Sequence, residues 1–195
     1  MRRSQLILTA LLIGVAGVAV ASNAFASDSP NQARTDASSG RAYFAALGGL
    51  HHPPPKGLVD ALASPYYVEQ FAPDVSAARL VQGTLAGSEQ VWLVPGKDAV
   101  CLYLRQGEGG GASCQTSDDA AAGRLILSSS QLDTPEAHVV GVLPDGVTSV
   151  DLDDASARTV RVESNVYVAT TEADLASFVD GQGRSHQITI PRANK

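Results

Sequence analysis

Short runs of apolar residues alternate with polar turns from Leu80 to the end of the chain. Runs rich in valine, leucine, isoleucine and tyrosine, bounded by glycine, proline, asparagine or aspartate, are typical of β-strands. The spacing leaves no room for crossover helices, so the pattern predicts antiparallel pairing and not a wound parallel sheet. The predicted strands are RLVQGTL, EQVWLVP, DAVCLYL, RLILSSS, two strands in AHVVGVLPDGVTSVDLDD, RTVRVES, NVYVATT and a final hairpin in ASFVDGQGRSHQITIP.

Residue types predict where the chain turns between these strands. Pro144-Asp145-Gly146 combines a proline that presets φ with a glycine that accepts a positive φ. Ser164-Asn165 joins two strands, and Gly181–Gly183 reverses the last hairpin. An AGS segment separates the first two strands and predicts a hairpin there.

The segment before the strands is broken by Gly48-Gly49 and by Pro53–Pro55, which leaves room only for short helices. We predict helices at Leu58–Ala63 and Pro65–Phe71. Ser64 is expected to cap the second helix, with Pro65 at its first position. The aromatic residues of that helix, Tyr66, Tyr67 and Phe71, are expected to pack it onto the body of the domain.

One more helical turn is predicted at SDDAAAG, with Ser117 as its cap and Asp118 and Asp119 at the positive helix end. The predicted fold class is a β-rich α+β fold. It is a single antiparallel-sheet domain with short N-terminal helices, preceded by a signal peptide.

The first residues have the pattern of a secretory signal. Arg2 and Arg3 precede an apolar run from Leu6 to Ala21, and Ala24 and Ala26 give the small-residue spacing that a signal peptidase recognises. We predict cleavage after Ala26. The alternative is an uncleaved N-terminal membrane anchor, which leaves the same domain outside the membrane because the arginines stay inside.

These signals divide the chain into three predicted segments: a signal peptide at 1–26, a flexible polar spacer at 27–41 and a β-rich extracytoplasmic domain at 42–195. The spacer is rich in serine, aspartate and other small polar residues and has no apolar periodicity. The predicted location is extracytoplasmic, as a secreted protein with no membrane insertion once the signal is removed.

Composition and charge narrow the classes of partner. A hydrophobic fraction of 44% and a charged fraction of 17% are those of a globular chain. The formal net charge of −6 becomes more negative when the signal and its arginines are removed. Such a surface repels nucleic acid and anionic lipid, so neither is an expected partner.

The glycine run Gly107–Gly111 allows two interpretations. With Ala112 it matches the G-x-G-x-x-A form of a dinucleotide-binding loop, and Asp133 stands where an acid would bind the ribose. That loop must open a long helix, whose N-terminus holds the pyrophosphate. Here the glycines lead only to a stretch too short for a crossover helix, so we predict no bound nucleotide and no other cofactor.

The second interpretation is a stapled hairpin. Cys101 lies inside an apolar strand, and Cys114 follows the glycine run. Outside the cytosol an even number of cysteines indicates disulfides, and two cysteines leave one pairing. We therefore predict a Cys101–Cys114 disulfide that fixes a flexible hairpin.

Four segments carry a resemblance: VWLVPGKDAVCLYL, GGGASC, VLPDGVTSVDL and NVYV. Together they resemble a group of uncharacterised exported actinobacterial proteins with a W-x-x-P-G strand pair, two cysteines around a glycine loop, a V-P-D-G-V turn and an N-V-Y strand. The chain departs from that pattern at Leu143, which stands in place of the first valine of the turn. The resemblance covers roughly residues 78–169 and implies a fold and an exported location, but no activity.

The four histidines form no recognisable catalytic or metal motif. His51 and His52 are adjacent, so on an extended chain they point in opposite directions and make a poor metal pair. His138 shares a predicted strand face with Val140 and Val142, which favours a histidine at the edge of the core. His186 has only Ser185 beside it, and sequence neighbours do not form a nucleophile–base pair.

Asp151–Ser156 suggests calcium but lacks the pattern of an EF-hand loop, because Ser156 replaces the glycine and Val162 the final glutamate. A polar hairpin turn is preferred, with weak calcium binding by Asp151, Asp153 and Asp154 left open; no metal site is predicted. A platform of Trp92, Tyr103 and Tyr167 is also disfavoured. The few aromatic residues are needed for the core.

The sequence therefore predicts a non-enzymatic cell-envelope or extracellular module that binds or spaces an unidentified ligand, with no catalytic residues. The alternative is a secreted hydrolase with a site assembled from distant residues, around His138. A hydrolase should have a polar cleft where a histidine, an acid and a nucleophile converge. A binding module should have a surface patch of aromatic side chains.

Overall fold

The structure is a computed structural model that describes residues 42–83, 88–130 and 136–192. The predicted signal peptide and spacer lie outside these residues, as does most of the predicted AGS turn. Three short α-helices are described: α1 (Lys56–Leu62), α2 (Pro65–Phe71) and α3 (Ser117–Ala121). None of the helices in these ranges has the length and apolar character that a membrane span requires.

Within the described residues the chain is β-rich, with few helices, as predicted. The strands are β1 (Arg79–Gly83), β2 (Glu89–Gly96), β3 (Ala99–Gln106), β4 (Gly109–Thr116), β5 (Ile126–Ser130), β6 (Ala137–Val142), β7 (Ser149–Leu152), β8 (Thr159–Arg161), β9 (Val166–Thr171), β10 (Leu175–Val179) and β11 (Ser185–Thr189). They form sheet A (β1-β2-β3-β4), sheet B (β5-β6-β9) and sheet C (β11-β10-β7-β8). Every strand pair is antiparallel, which confirms the predicted pairing.

The glycine run is mostly strand, which corrects the predicted loop. Only Gly107 and Glu108 form the turn, since Gln106 pairs with Gly109. Gly107 has a φ of 59°, and a glycine with positive φ at the first position of a two-residue hairpin matches the twist of the flanking strands. Strand β4 then pairs along the whole of β3. A side chain at Gly110 would collide with the Tyr103 hydroxyl, so a residue with low β-propensity is required inside this strand.

Side chains alternate between the two faces of each strand, and the described part of the domain packs in four layers: helices α1 and α2, sheet A, sheet B and sheet C. One face of sheet A carries Trp92 and Tyr103 and packs against α1 and α2. Its other face carries Leu93 and Leu102 and packs against sheet B. The far face of sheet B carries Tyr167, which packs with side chains from sheet C. Sheet B is thus covered on both faces, which explains why its strands β6 and β9 are apolar at nearly every position.

The chain changes sheets at two predicted turns. Pro144-Asp145-Gly146 leads from β6 in sheet B to β7 in sheet C, and Gly146 has a φ of 85°. Ser164 and Asn165, with φ of 49° and 66°, lead from β8 in sheet C to β9 in sheet B. Both turns are where they were predicted, but they connect sheets.

The side chain of Asn165 ties these turns together. Its Nδ2 donates to Leu143 O at 3.0 Å and to Asp145 Oδ1 at 2.8 Å. Its Oδ1 accepts a bond from the amide of Ala46 at 3.0 Å. An asparagine that also tolerates positive φ is therefore suited to this position.

The helices agree closely with the prediction, apart from one cap. Ser64 accepts a bond from the amide of Tyr67 at 3.5 Å at the start of α2. At α3 the cap is Thr116, whose side chain accepts from the amide of Asp119 at 3.1 Å. Ser117 is the first helical residue instead, because β4 runs directly into the helix.

Candidate functional site

The disulfide joins directly opposed residues of the β3–β4 hairpin. Cys101 pairs with Cys114 in the register, and their Cα atoms are 4.0 Å apart. Both residues are buried under α1 and α2, with Cys114 only 5% exposed. The bond therefore stabilises β4 from within the core, and the predicted disulfide is present.

The nucleotide interpretation receives no support from this geometry. Gly109–Gly111 pair with β3 and open no helix, and the next helix along the chain, α3, begins only at Ser117. Asp133, the candidate ribose ligand, lies outside the described residues.

An aromatic cluster on α2 sits above this stapled hairpin. The Tyr66 ring centre lies 5.4 Å from that of Tyr67 and 6.0 Å from that of Phe71, both in edge-to-face geometry. Tyr67 is anchored by its hydroxyl, which donates to Ala112 O of β4 at 2.7 Å. Tyr66 is 63% exposed and Val68 51% exposed. The prediction that all three aromatic residues pack inward is thus wrong for Tyr66, whose ring faces solvent.

The aromatic side chains considered as a surface binding platform do not form one. Trp92, Tyr103 and Tyr167 are all buried, in the clusters between the layers. Burial raises the pKa of the Tyr167 hydroxyl well above its usual range. These three side chains are part of the hydrophobic core, as expected for a chain with few aromatic residues.

A histidine–acid contact lies in a cleft beside the last hairpin. His186 Nε2 is 2.8 Å from Asp180 Oδ2, and the imidazole stacks on Phe178 with ring centres 4.7 Å apart. Phe178 and His186 are paired across β10 and β11, and Asp180 begins the connecting turn. The cleft has a volume of about 420 Å³ and also contains Tyr43 and Arg184. The sequence predicts no partner for His186, and this contact corrects that expectation.

Asp180 is saturated by donors. Besides His186, its carboxylate accepts bonds from the amides of Gln182 and Arg184, each at 2.9 Å, and from Arg184 Nε at 2.8 Å. The hydrogen bond from His186, and then the amide of Arg184, hold the pKa of Asp180 well below its usual range. A lowered pKa favours the ionised form of the carboxylate, and these donors fix it in the turn of the hairpin.

Among the described residues, the same cleft is lined by one hydroxyl, the phenol of Tyr43. Its described lining contains no serine, threonine or cysteine. Asp145, on the opposite wall, accepts two bonds from the Ala45 amide, at 2.9 and 3.1 Å, in addition to that from Asn165. Two carboxylates engaged by the backbone, Asp145 and Asp180, thus share the cleft with His186 and with Asp118, and the described lining supplies no serine, threonine or cysteine to complete a catalytic triad.

The other histidines lie apart from this cleft. His51 Nε2 is 2.8 Å from Ser76 O. His138 lies on β6 with its Nε2 3.3 Å from Glu89 Oε1, although the geometry is not that of a hydrogen bond. It stands at the margin between sheets A and B, the position expected of a core-edge histidine. The described residues contain no cluster of three or more histidine, cysteine or acidic side chains able to hold a metal ion.

The Asp151–Ser156 segment forms the preferred hairpin turn between β7 and β8. Asp154 binds the Arg158 guanidinium at 2.8 Å and the Thr171 hydroxyl at 3.0 Å. The bond from Arg158 lowers the pKa of Asp154. Asp151 accepts the Thr159 hydroxyl at 2.6 Å. Protein donors therefore occupy the carboxylates of Asp151 and Asp154, two of the three that the weak calcium site would need.

Comparison of the chain with protein-family models, with curated proteins and with solved structures found no match. Two features of the molecule bear on its function: the exposed Tyr66 ring in the aromatic cluster of α2, and the composition of the His186 cleft.

Proposed function

We propose that the chain is an exported, non-enzymatic module of the cell envelope or the extracellular space, and that it binds its ligand through the exposed side of α2. The observation that carries the proposal is the position of Tyr66, an exposed ring held by edge contacts with Tyr67 and Phe71. Tyr67 is in turn fixed to the stapled strand β4. A rigid amphipathic ring at the surface provides contact area at low cost in conformational entropy.

Export is supported by the signal-like N-terminus and by the disulfide, since disulfides persist outside the cytosol. The resemblance to exported actinobacterial proteins agrees with this location. The ligand is an envelope or extracellular component and not nucleic acid, given the acidic chain.

The test is co-sedimentation of the purified protein with insoluble peptidoglycan, chitin, cellulose and washed cell-wall fragments. The Tyr66→Ala/Val68→Ala variant removes the exposed apolar side chains and should bind roughly tenfold more weakly to whichever material retains the wild type. The matched control is Val179→Ala, which removes an exposed apolar side chain from β10 and should bind as the wild type does. Equal binding by the Tyr66 variant would place the ligand on another surface.

A secreted hydrolase is the alternative, and the contact between His186 and Asp180 is the observation that favours it. The substrate panel for its test contains esters, peptides and glycosides, each assayed with and without zinc or calcium. We expect His138→Ala and His186→Ala to change stability at most. Turnover by the wild type that either variant loses, at an unchanged unfolding temperature, would support the hydrolase.

A further inference from the structure

A second groove, with a volume of about 410 Å³, separates β11 from β4. Gln187 and Thr189 of β11 line one side, and Ser113 and Gln115 of β4 line the other. Each of these strands ends its own sheet, β11 in sheet C and β4 in sheet A. The groove therefore runs along terminal strands, where backbone groups can lack a neighbour.

The hydrogen bonds of the β10–β11 ladder determine which backbone groups of β11 face outward. At one end the Ile190 amide donates to Asp174 O at 2.9 Å, and at the other the Asp180 amide donates to Arg184 O at 2.9 Å. In an antiparallel ladder, opposed residue pairs that are hydrogen-bonded to each other alternate with pairs that are not. The bonds at the two ends of the β10–β11 ladder agree on which pairs are hydrogen-bonded. Every second residue of β11, beginning at Ser185, thus directs its N–H and C=O away from β10.

Three residues follow this alternation: Ser185, Gln187 and Thr189. All three are exposed. Their outward N–H and C=O groups form no hydrogen bond to any of the described residues. Donors and acceptors that repeat at every second residue match the backbone of one more β-strand.

The edge of β4 across the groove is closed to such pairing. Ala112 O already accepts the Tyr67 hydroxyl at 2.7 Å, and Cys114 is buried. This strand contributes the side chains of Ser113 and Gln115 to the groove. A guest strand can therefore pair on the β11 side only.

The described polar side chains that line the groove can form hydrogen bonds with a ligand, and none of them is an unpaired charge. They are hydroxyls and amides, and the guanidinium of Arg124 is engaged by Asp119. The remaining lining is apolar, from Ile126, Ile188 and Pro191. The hydroxyls and amides suit the main chain and the neutral side chains of an extended peptide. The formal net charge of −6 opposes edge-to-edge pairing of two copies of the chain.

We propose that this groove binds an extended, neutral segment of a partner protein, which adds to sheet C as a strand beside β11. The main-chain groups of Gln187 and Thr189 supply the pairing, and Ser113 and Gln115 contact the guest side chains. The site lies on β11 and is separate from the α2 surface, so the inference does not rest on the proposed function.

The probe is a fluorescein-labelled eight-residue peptide of alternating serine and valine, compared with the same peptide N-methylated at alternate residues. Anisotropy should show saturable binding of the first peptide only. Amide exchange should slow at Gln187 and Thr189 when that peptide is present. The Tyr66→Ala/Val68→Ala variant should bind the peptide as the wild type does, which separates this test from that of the proposed function.

Gln187→Pro removes an outward donor and leaves the β10 ladder intact, since proline is tolerated on a strand edge at such a position. It should weaken peptide binding by roughly tenfold or more, whereas Gln187→Ala should stay within about twofold. The exchange measurement on the wild type needs no variant to fold.

The proposal would be overturned by no binding, by equal binding of the N-methylated peptide, by equal binding by Gln187→Pro, or by amides of Gln187 and Thr189 that are already protected in the free protein. Protection that rises with protein concentration, together with dimers in sedimentation, would assign the edge to a second copy of the chain and would also overturn it.

Discussion

The Tyr167 hydroxyl is buried between sheets B and C, where no described residue forms a hydrogen bond with it. An unsatisfied buried hydroxyl costs about 1–3 kcal/mol. We therefore expect Tyr167→Phe to raise the free energy of unfolding by about that amount in urea denaturation. Tyr67→Phe is the matched control and should lower it by about 1 kcal/mol, because the bond to Ala112 O is lost. A destabilised Tyr167→Phe variant would mean that the hydroxyl has a partner.

Asp180 should make the stability of the protein depend on acidic pH. Hydrogen bonds from His186 and Arg184 lower its pKa in the folded state, whereas the unfolded value is about 3.9. A depressed folded pKa adds stability that is complete above the unfolded value and is lost as the pH falls through the folded one. Below about pH 4 the wild type should therefore lose unfolding free energy more steeply than Asp180→Asn.

Urea denaturation between about pH 2 and pH 6 measures this difference in slope. Asp154 changes in the same direction because of Arg158, so the variant should retain part of the dependence. Parallel curves for the wild type and Asp180→Asn would show that Asp180 has an ordinary pKa in the folded protein.

At the scale of the element, the β3–β4 hairpin depends on its disulfide. Closing a loop of this size stabilises the fold by about 3 kcal/mol. We expect Cys101→Ala/Cys114→Ala to lose about that free energy of unfolding. Reductant should lower the stability of the wild type and leave the variant unchanged. Free thiols in native secreted protein would contradict the disulfide itself.

The same hairpin shows how far the sequence predicts an element. The sequence predicts the apolar strands from their alternation of apolar and polar residues. It predicts the cysteine pair because disulfides form in exported proteins. The sequence does not predict strand β4, because Gly109–Gly111 have low strand propensity. The need for a glycine at Gly110 comes from its contact with Tyr103, which only the fold shows. His186 and Asp180 meet because the register places His186 opposite Phe178, and no local pattern encodes that register. Tyr66 was assigned inward because a short helix gives no clear apolar face.

At the scale of the whole molecule, the layers could not be predicted. Strands consecutive in sequence usually pair, but β6 and β7 belong to different sheets, and so do β8 and β9. Asn165 was identified as a turn residue, yet its bond to Ala46 depends on a contact between distant parts of the chain. Local chemistry located the turns, while packing between layers decided what they connect.

One prediction concerns the N-terminus of the mature protein. If the small residues at Ala24 and Ala26 direct a signal peptidase, N-terminal sequencing of exported protein should begin at Ser27. Ala26→Leu should slow that cleavage, whereas Ala33→Leu in the spacer should have no effect. A chain that keeps Met1 and sediments with membranes would favour the anchor.

The bond between Asn165 and Ala46 spans 119 residues, and it has a consequence for when the protein folds. Sheet A is a local meander and can form early in synthesis, but its cover from sheet B is incomplete until β9 has been made. Contacts so distant in sequence slow folding, because the loop must close before they form. In an emerging chain the layers therefore close over sheet A only after most of the chain has been synthesised. Protease digestion of ribosome-bound chains of increasing length should show resistance only after β9 has emerged.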